Sequence, residues 1–131
     1  MSSTSPNAKA QPDRTHAGAQ KLYFACFTDL VETTTKDDIE RAVDAHKEWL
    51  AEMEATGKIF VAGPFLDENY SYSAEGLIVF RAETAEDARE LAKRDPMHAL
   101  GLRTFRIVPW QLNEGTMRIE INFLNGVFSF G

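Results

Sequence analysis

Ile39, Val43, His46, Leu50 and Met53 recur at steps of four, three, four and three between polar neighbours, the spacing of one buried helix face. The surrounding run, TTTKDDIERAVDAHKEWLAEMEATG, opens on Thr and Asp capping residues and closes on Gly57, so it predicts a helix. TAEDARELAKRD predicts a second, capped by Thr84, with Ala88, Leu91 and Ala92 on its inner face and Pro96 as its stop. Strands are read around these helices. KLYFACFTDL sets Leu22, Phe24 and Cys26 on one face and Tyr23, Ala25 and Phe27 on the other, and both faces look buried. KIFVAGPF is a second strand, stopped at Gly63 and Pro64 because Pro64 cannot donate to a central ladder. The polar loop LDENYSYSAEG then leads into LIVFRA, and LRTFRIVPWQL makes a fourth strand. In MRIEINFL, Met117, Ile119, Ile121 and Phe123 alternate with polar residues, and Asn125-Gly126 predicts a type I′ hairpin turn into VFSF.

The order strand, helix, strand, strand, helix, strand predicts an α+β fold of the ferredoxin-like βαββαβ type, both helices covering one face of an antiparallel sheet. Apolar residues also occupy the other face, which needs a cover of its own. A second copy is the economical cover, so a homodimer or higher even oligomer is expected. Residues 1–20, rich in Ser, Ala, Pro, Gln and Gly without periodicity, are expected to form a disordered tail. Residues 21–115 form the domain, and residues 116–131 a C-terminal strand and hairpin extension.

A chain of 131 residues fits one domain. Its formal net charge of -6, with no run of Lys or Arg, argues against a grip on nucleic acid or anionic lipid. Cys26 stands alone and cannot form an intrachain disulfide. The N-terminal stretch lacks a secretory apolar core, and no apolar run reaches the roughly 18 residues of a membrane span. A cytoplasmic protein acting on a small molecule is expected.

His46 stands where the helical stripe calls for a leucine, and a buried imidazole without a hydrogen bond costs roughly 1 to 3 kcal/mol. Asp95 is the matching oddity, at the next inward position after Ala88 and Leu91, just before Pro96. With both helices on one sheet face the two side chains can meet, and a carboxylate on an imidazole fixes its tautomer and strengthens it as a proton acceptor. In the competing reading Asp95 caps the DPMHALG turn and His46 is a satisfied core residue; spacing by itself favours that second reading. His98 either contacts substrate or decorates an exposed turn. Tyr70 and Tyr72 offer phenols from a loop, where binding groups concentrate. Arg103 and Arg106 suit either an anionic substrate or paired surface charges. Trp49 and Trp110 are expected in the core, and Cys26 is read as a small hydrophobe. The sequence contains no HExxH, CxxC, GxGxxG or Walker-type loop, so the expectation is a pocket without cofactor or metal.

HKEWLAEMEATGKIFVAGPF, followed by EGLIVFRAETAEDARELAKRDPMHALGLRTFRIVPW, resembles the YciI-like (YCII-related) family over about residues 22–110. The features that carry the resemblance are the helix histidine, the glycine-proline after the second strand, the Asp-Pro turn and the closing Pro-Trp, here His46, Gly63 and Pro64, Asp95 and Pro96, and Pro109 and Trp110. The resemblance implies a dimeric α+β barrel with His46 and Asp95 as the catalytic pair; Gly63 and Pro64 join His98, Tyr70, Tyr72 and Arg103 as expected substrate contacts. It also implies cofactor-independent lyase or isomerase chemistry, such as loss of chloride from a chlorinated hydroxyhydroquinone, or proton transfer in a lactone. A non-catalytic small-molecule binding module and a cofactor-free oxygenase are the rival readings. The hairpin beyond Trp110 exceeds the resemblance and is expected to extend the dimer contact or close one side of the pocket.

Overall fold

A computed structural model describes residues 21–130, so the tail expected over residues 1–20 lies outside the described residues. The elements follow as β1 (Leu22–Leu30), α1 (Lys36–Ala55), β2 (Ile59–Leu66), β3 (Tyr72–Phe80), α2 (Ala85–Lys93), α3 (Pro96–Ala99), β4 (Arg103–Gln111), β5 (Ile119–Asn122) and β6 (Val127–Phe130). The four-stranded sheet is antiparallel in the order β2-β3-β1-β4, with β1 and β3 inside, and β5 and β6 pair as a separate two-stranded sheet. This is the ferredoxin-like arrangement, with the helices on one sheet face.

Local chemistry fixes where the helices begin. Thr35 accepts the Asp38 N–H at 3.1 Å while the Asp38 carboxylate accepts the Thr35 N–H at 2.9 Å, a reciprocal cap worth about 1 kcal/mol. Thr84 caps α2 by accepting the Asp87 N–H. Gly57, at φ +73, takes the left-handed turn that ends α1. Between helices and sheet lie Phe24 and Cys26 of β1, Ile78 and Phe80 of β3, Trp49 and Met53 of α1, and Ala88 and Ala92 of α2. The two alanines let α2 approach the strands closely, and Trp49 meets Phe80 edge-on at 6.2 Å. The deepest line of α1 is Ala42, Trp49 and Met53; Ile39, Val43, His46 and Leu50 run beside it, half-buried.

Several sequence expectations are corrected. β2 does not stop at Gly63 but runs through Pro64, which pairs with Gly76, to Leu66. As the edge strand it tolerates a residue without an N–H. β3 starts at Tyr72, so that tyrosine belongs to a strand, and the loop shrinks to a turn in which Asp67 Oδ1 accepts the N–H groups of Asn69 and Ser71. A four-residue helix, α3, follows α2 where only a turn was read. The hairpin connection is four residues, Phe123 to Gly126, rather than two; Gly126, at φ +68, donates its N–H to the Asn122 carbonyl at 3.0 Å.

Trp110 is also corrected, being 39% exposed on the sheet face away from the helices. There Tyr23 stacks on Phe60 at 4.5 Å and lies 6.1 Å from Trp110, Phe27 lies over Phe65 at 6.3 Å, and the Arg106 guanidinium sits 4.3 Å from the Phe27 ring centre. The face is therefore an aromatic surface open in the single chain. The β5–β6 hairpin packs chiefly on itself and leaves Ile119, Ile121 and Phe128 exposed. Among the described residues no helix is long and apolar enough to cross a membrane.

Candidate functional site

Asp95 occupies the kink between α2 and α3. Pro96 supplies the first turn of α3 with no N–H to satisfy, and Asp95 as N-cap accepts the Met97 N–H on Oδ1 at 2.9 Å. The same Oδ1 lies 2.7 Å from Nδ1 of His46, which α1 brings across from the other side. The carboxylate accepts, so His46 donates from Nδ1 and keeps a lone pair on Nε2. The His46 side chain is 15% exposed and that of Asp95 1%. The two readings that spacing left in competition thus coexist: Asp95 both caps the turn and holds the imidazole.

Beyond His46 opens a cavity of about 430 Å³, a size suited to a small organic molecule. Ile39, Val43 and Leu50 of α1, Leu77 and Ile78 of β3, and Met97 of α3 make its apolar walls. Its polar groups are His46, Thr28 and Arg103, with Lys47, Tyr72 and Glu75 completing the lining. Gly63 and Pro64 contribute the β2 side. At Gly76 a Cβ would stand 3.3 Å from the Gly63 carbonyl oxygen, a tight approach to the β2 backbone, and in ordinary contact with Thr28 Oγ1 at 3.5 Å. Ala74, also in the wall, adopts φ +69, a left-handed conformation unusual for a residue with a Cβ. A larger hollow of about 590 Å³ lies elsewhere, between the end of α1 and α2, ringed by Lys58, Arg81, Glu83, Asp87 and Glu90. Neither His46 nor Asp95 reaches it, so chemistry favours the smaller cavity.

His98 does not line that cavity. Its side chain is 2% exposed, its Nδ1–H donates to the Ala92 carbonyl at 2.8 Å, and its ring lies 4.7 Å from that of Phe105. Burial pushes its pKa below the ordinary value, against the bond to Ala92. The expected substrate contact is therefore corrected to a neutral wedge behind Asp95, turned inward by α3. Tyr70 is corrected too: at φ +63 in the Asp67 turn, it is 85% exposed and outside the cavity. Tyr72 and Arg103 line the cavity, whereas Arg106 belongs to the aromatic face. Cys26 is an inert thiol, pushed up to about 12 by burial and then by the charge of Asp95. Sequence reasoning missed Thr28, Lys47, Glu75 and Met97. Strand register brings Thr28 and Glu75 to the site, and only proximity to Asp95 in the chain marked Met97.

None of the curated protein sequences matches the chain. Among solved structures it is similar to the 5-chloro-2-hydroxyhydroquinone dehydrochlorinase of Burkholderia phenoliruptrix AC1100, determined in complex with 2,5-dihydroxybenzoquinone. The TM-score is 0.53 at 19% identity, covering 71% of this chain and 95% of that one. At that identity the likeness concerns the fold. A family model for the YCII-related domain matches residues 22–111, all six elements of the sheet-and-helix core together with α3. The chain therefore belongs to the YCII-related family.

Proposed function

We propose that this protein is an enzyme, a cofactor-independent lyase or isomerase in which His46 is the general base and Asp95 its orienting partner. The observation that carries the reading is the 2.7 Å bond between Nδ1 of His46 and Oδ1 of Asp95 at the wall of an apolar cavity. It frees Nε2 to take a proton from a substrate hydroxyl, or from carbon beside a carbonyl, while Asp95 offsets the positive charge that forms on the ring. The electron pair of the broken bond enters the conjugated system. In an elimination it expels a leaving group with its bonding pair; in an isomerisation the proton returns at another carbon. The similar dehydrochlorinase supports a small hydroxylated aromatic, chlorinated in the elimination case, as the substrate class; a lactone is the substrate of the isomerase alternative.

The aromatic face around Tyr23, Phe27 and Phe60 supports a homodimer as the working assembly. A cytoplasmic setting belongs to the same reading.

The test is turnover of chlorinated hydroxyhydroquinones and of lactones by the wild type and by His46→Ala. General-base action is worth about 10²- to 10⁴-fold, so turnover falls by that factor in a variant that still folds. Binding by both proteins without turnover by either would establish a non-catalytic binding module instead.

A further inference from the structure

Arg103 is a cation in an apolar row. It opens β4 opposite Leu30, and Phe105 and Ile107 follow it at alternate positions on the helix-covered face, opposite Thr28 and Cys26. That position places it in the wall of the His46 cavity. Among the described residues no carboxylate lies within 4.0 Å of it and no hydrogen bond from its side chain is satisfied, while its Nε is buried without a partner. Arg41, Arg89 and Arg94 each have a carboxylate partner, Arg81 donates to the Ile59 carbonyl, and Arg106 lies over the Phe27 ring. Asp95, whose Oδ1 is committed to His46 and Met97, forms no ion pair with Arg103 within 4.0 Å either. The buried Nε of Arg103 costs desolvation energy, and an anion in the cavity would offset that cost most strongly.

The charge of the cavity agrees. Lys47 and Arg103 face one carboxylate, Glu75, in the lining of a site that belongs to a chain of net charge -6. The cations of the lining thus outnumber its carboxylates, and the one further carboxylate nearby, Asp95, stands behind His46 and is held by it. Resting on the reading of the His46 cavity as a substrate site, we propose that Arg103 is its anion-recognition residue. The ligand is a small planar molecule whose ring-conjugated oxyanion, carboxylate or ionised enol, sits on the Arg103 guanidinium and presents its acidic hydrogen to His46. The guanidinium fork matches two oxygens side by side, so a carboxylate or a pair of adjacent ring oxygens is taken in preference to a lone hydroxyl.

Calorimetric titration of the full chain tests this with two anions, 4-hydroxybenzoate and 2,5-dihydroxybenzoquinone, ionised at neutral pH, and their neutral counterparts 4-hydroxybenzamide and hydroquinone. The wild type is expected to bind at least one anion about ten- to hundredfold more tightly than its counterpart, the difference that a charged hydrogen bond supplies. Which anion prevails separates the carboxylate from the enolate source. Arg103→Gln loses that preference, its affinity for the anions falling to that for the neutral compounds, and Arg103→Lys restores part of it. The same titrations on His46→Ala retain the preference, so a failure of the general-base reading is distinguishable from a failure of this one. Equal affinity of Arg103→Gln and wild type for the anions, or no binding of either anion at millimolar concentration, overturns the proposal.

Discussion

His46 and Asp95, 49 positions apart in the chain, meet through a single carboxylate oxygen that also receives the Met97 N–H. The other oxygen, Oδ2, is buried and without a partner. An asparagine in place of Asp95 can keep its amide oxygen at Oδ1, which preserves both bonds and removes the charge, and its nitrogen takes the place of an oxygen that has no partner in the wild type. Asp95→Asn is therefore expected to lower kcat by about 10²-fold or more while lowering the thermal midpoint less than Asp95→Ala does. Asp95→Ala adds the loss of the α3 cap, about 1 kcal/mol, and leaves His46 without its acceptor. Steady-state kinetics beside thermal denaturation separates the two effects. Full activity in Asp95→Asn would show that the charge plays no part.

His98 predicts a dependence of stability on pH. Folding holds its pKa below the ordinary 6.5, mainly through burial, so below that pH the unfolded chain binds more protons than the folded one. The contribution is complete above 6.5 and is lost as pH falls through 6.5 toward the lower folded value. Urea midpoints measured from pH 8 down to pH 5 should decline in the wild type, and more gently in His98→Leu. Parallel profiles would remove His98 as the cause.

Ala74 holds φ +69 in the cavity wall. A left-handed residue with a Cβ is strained by about 1 to 2 kcal/mol, against which glycine loses about 0.5 to 1 kcal/mol of extra chain entropy. Ala74→Gly should accordingly stabilise the fold by about 0.5 to 1 kcal/mol in chemical denaturation. A destabilised variant would mean that the methyl group packs usefully against the cavity.

Tyr23, stacked on Phe60 and close to Trp110, lies at the middle of the uncovered aromatic face. Light scattering at micromolar concentration is expected to give twice the 14.7 kDa chain mass for the wild type and a single chain for Tyr23→Asp, since a carboxylate cannot be buried unpaired between two such faces. A wild type that runs as one chain refutes the dimer.

Much of the site was legible because it breaks periodicity. His46 interrupts a row of Ile39, Val43 and Leu50, and Asp95 ends the row of Ala88 and Leu91; charged or titratable groups in apolar rows stand out without any structure. Arg103 breaks the alternation of Phe105 and Ile107 in the same manner. The parts that stayed hidden depend on distant residues or on very short elements. PMHA is a single turn, too brief for any period, so neither α3 nor the inward rotation of His98 could be read. Pro64 looked like a strand end because β2's position at the sheet edge is decided by strand order, which no local pattern encodes. The exposure of Trp110 likewise follows from which face the helices leave bare.

Pro64 lies in β2 and Pro109 in β4, and these are the two outer strands of the sheet. A proline on a rim withholds one of the donors that an incoming strand would use. Sideways polymerisation, the hazard of any open ladder, is thus obstructed at both margins at once.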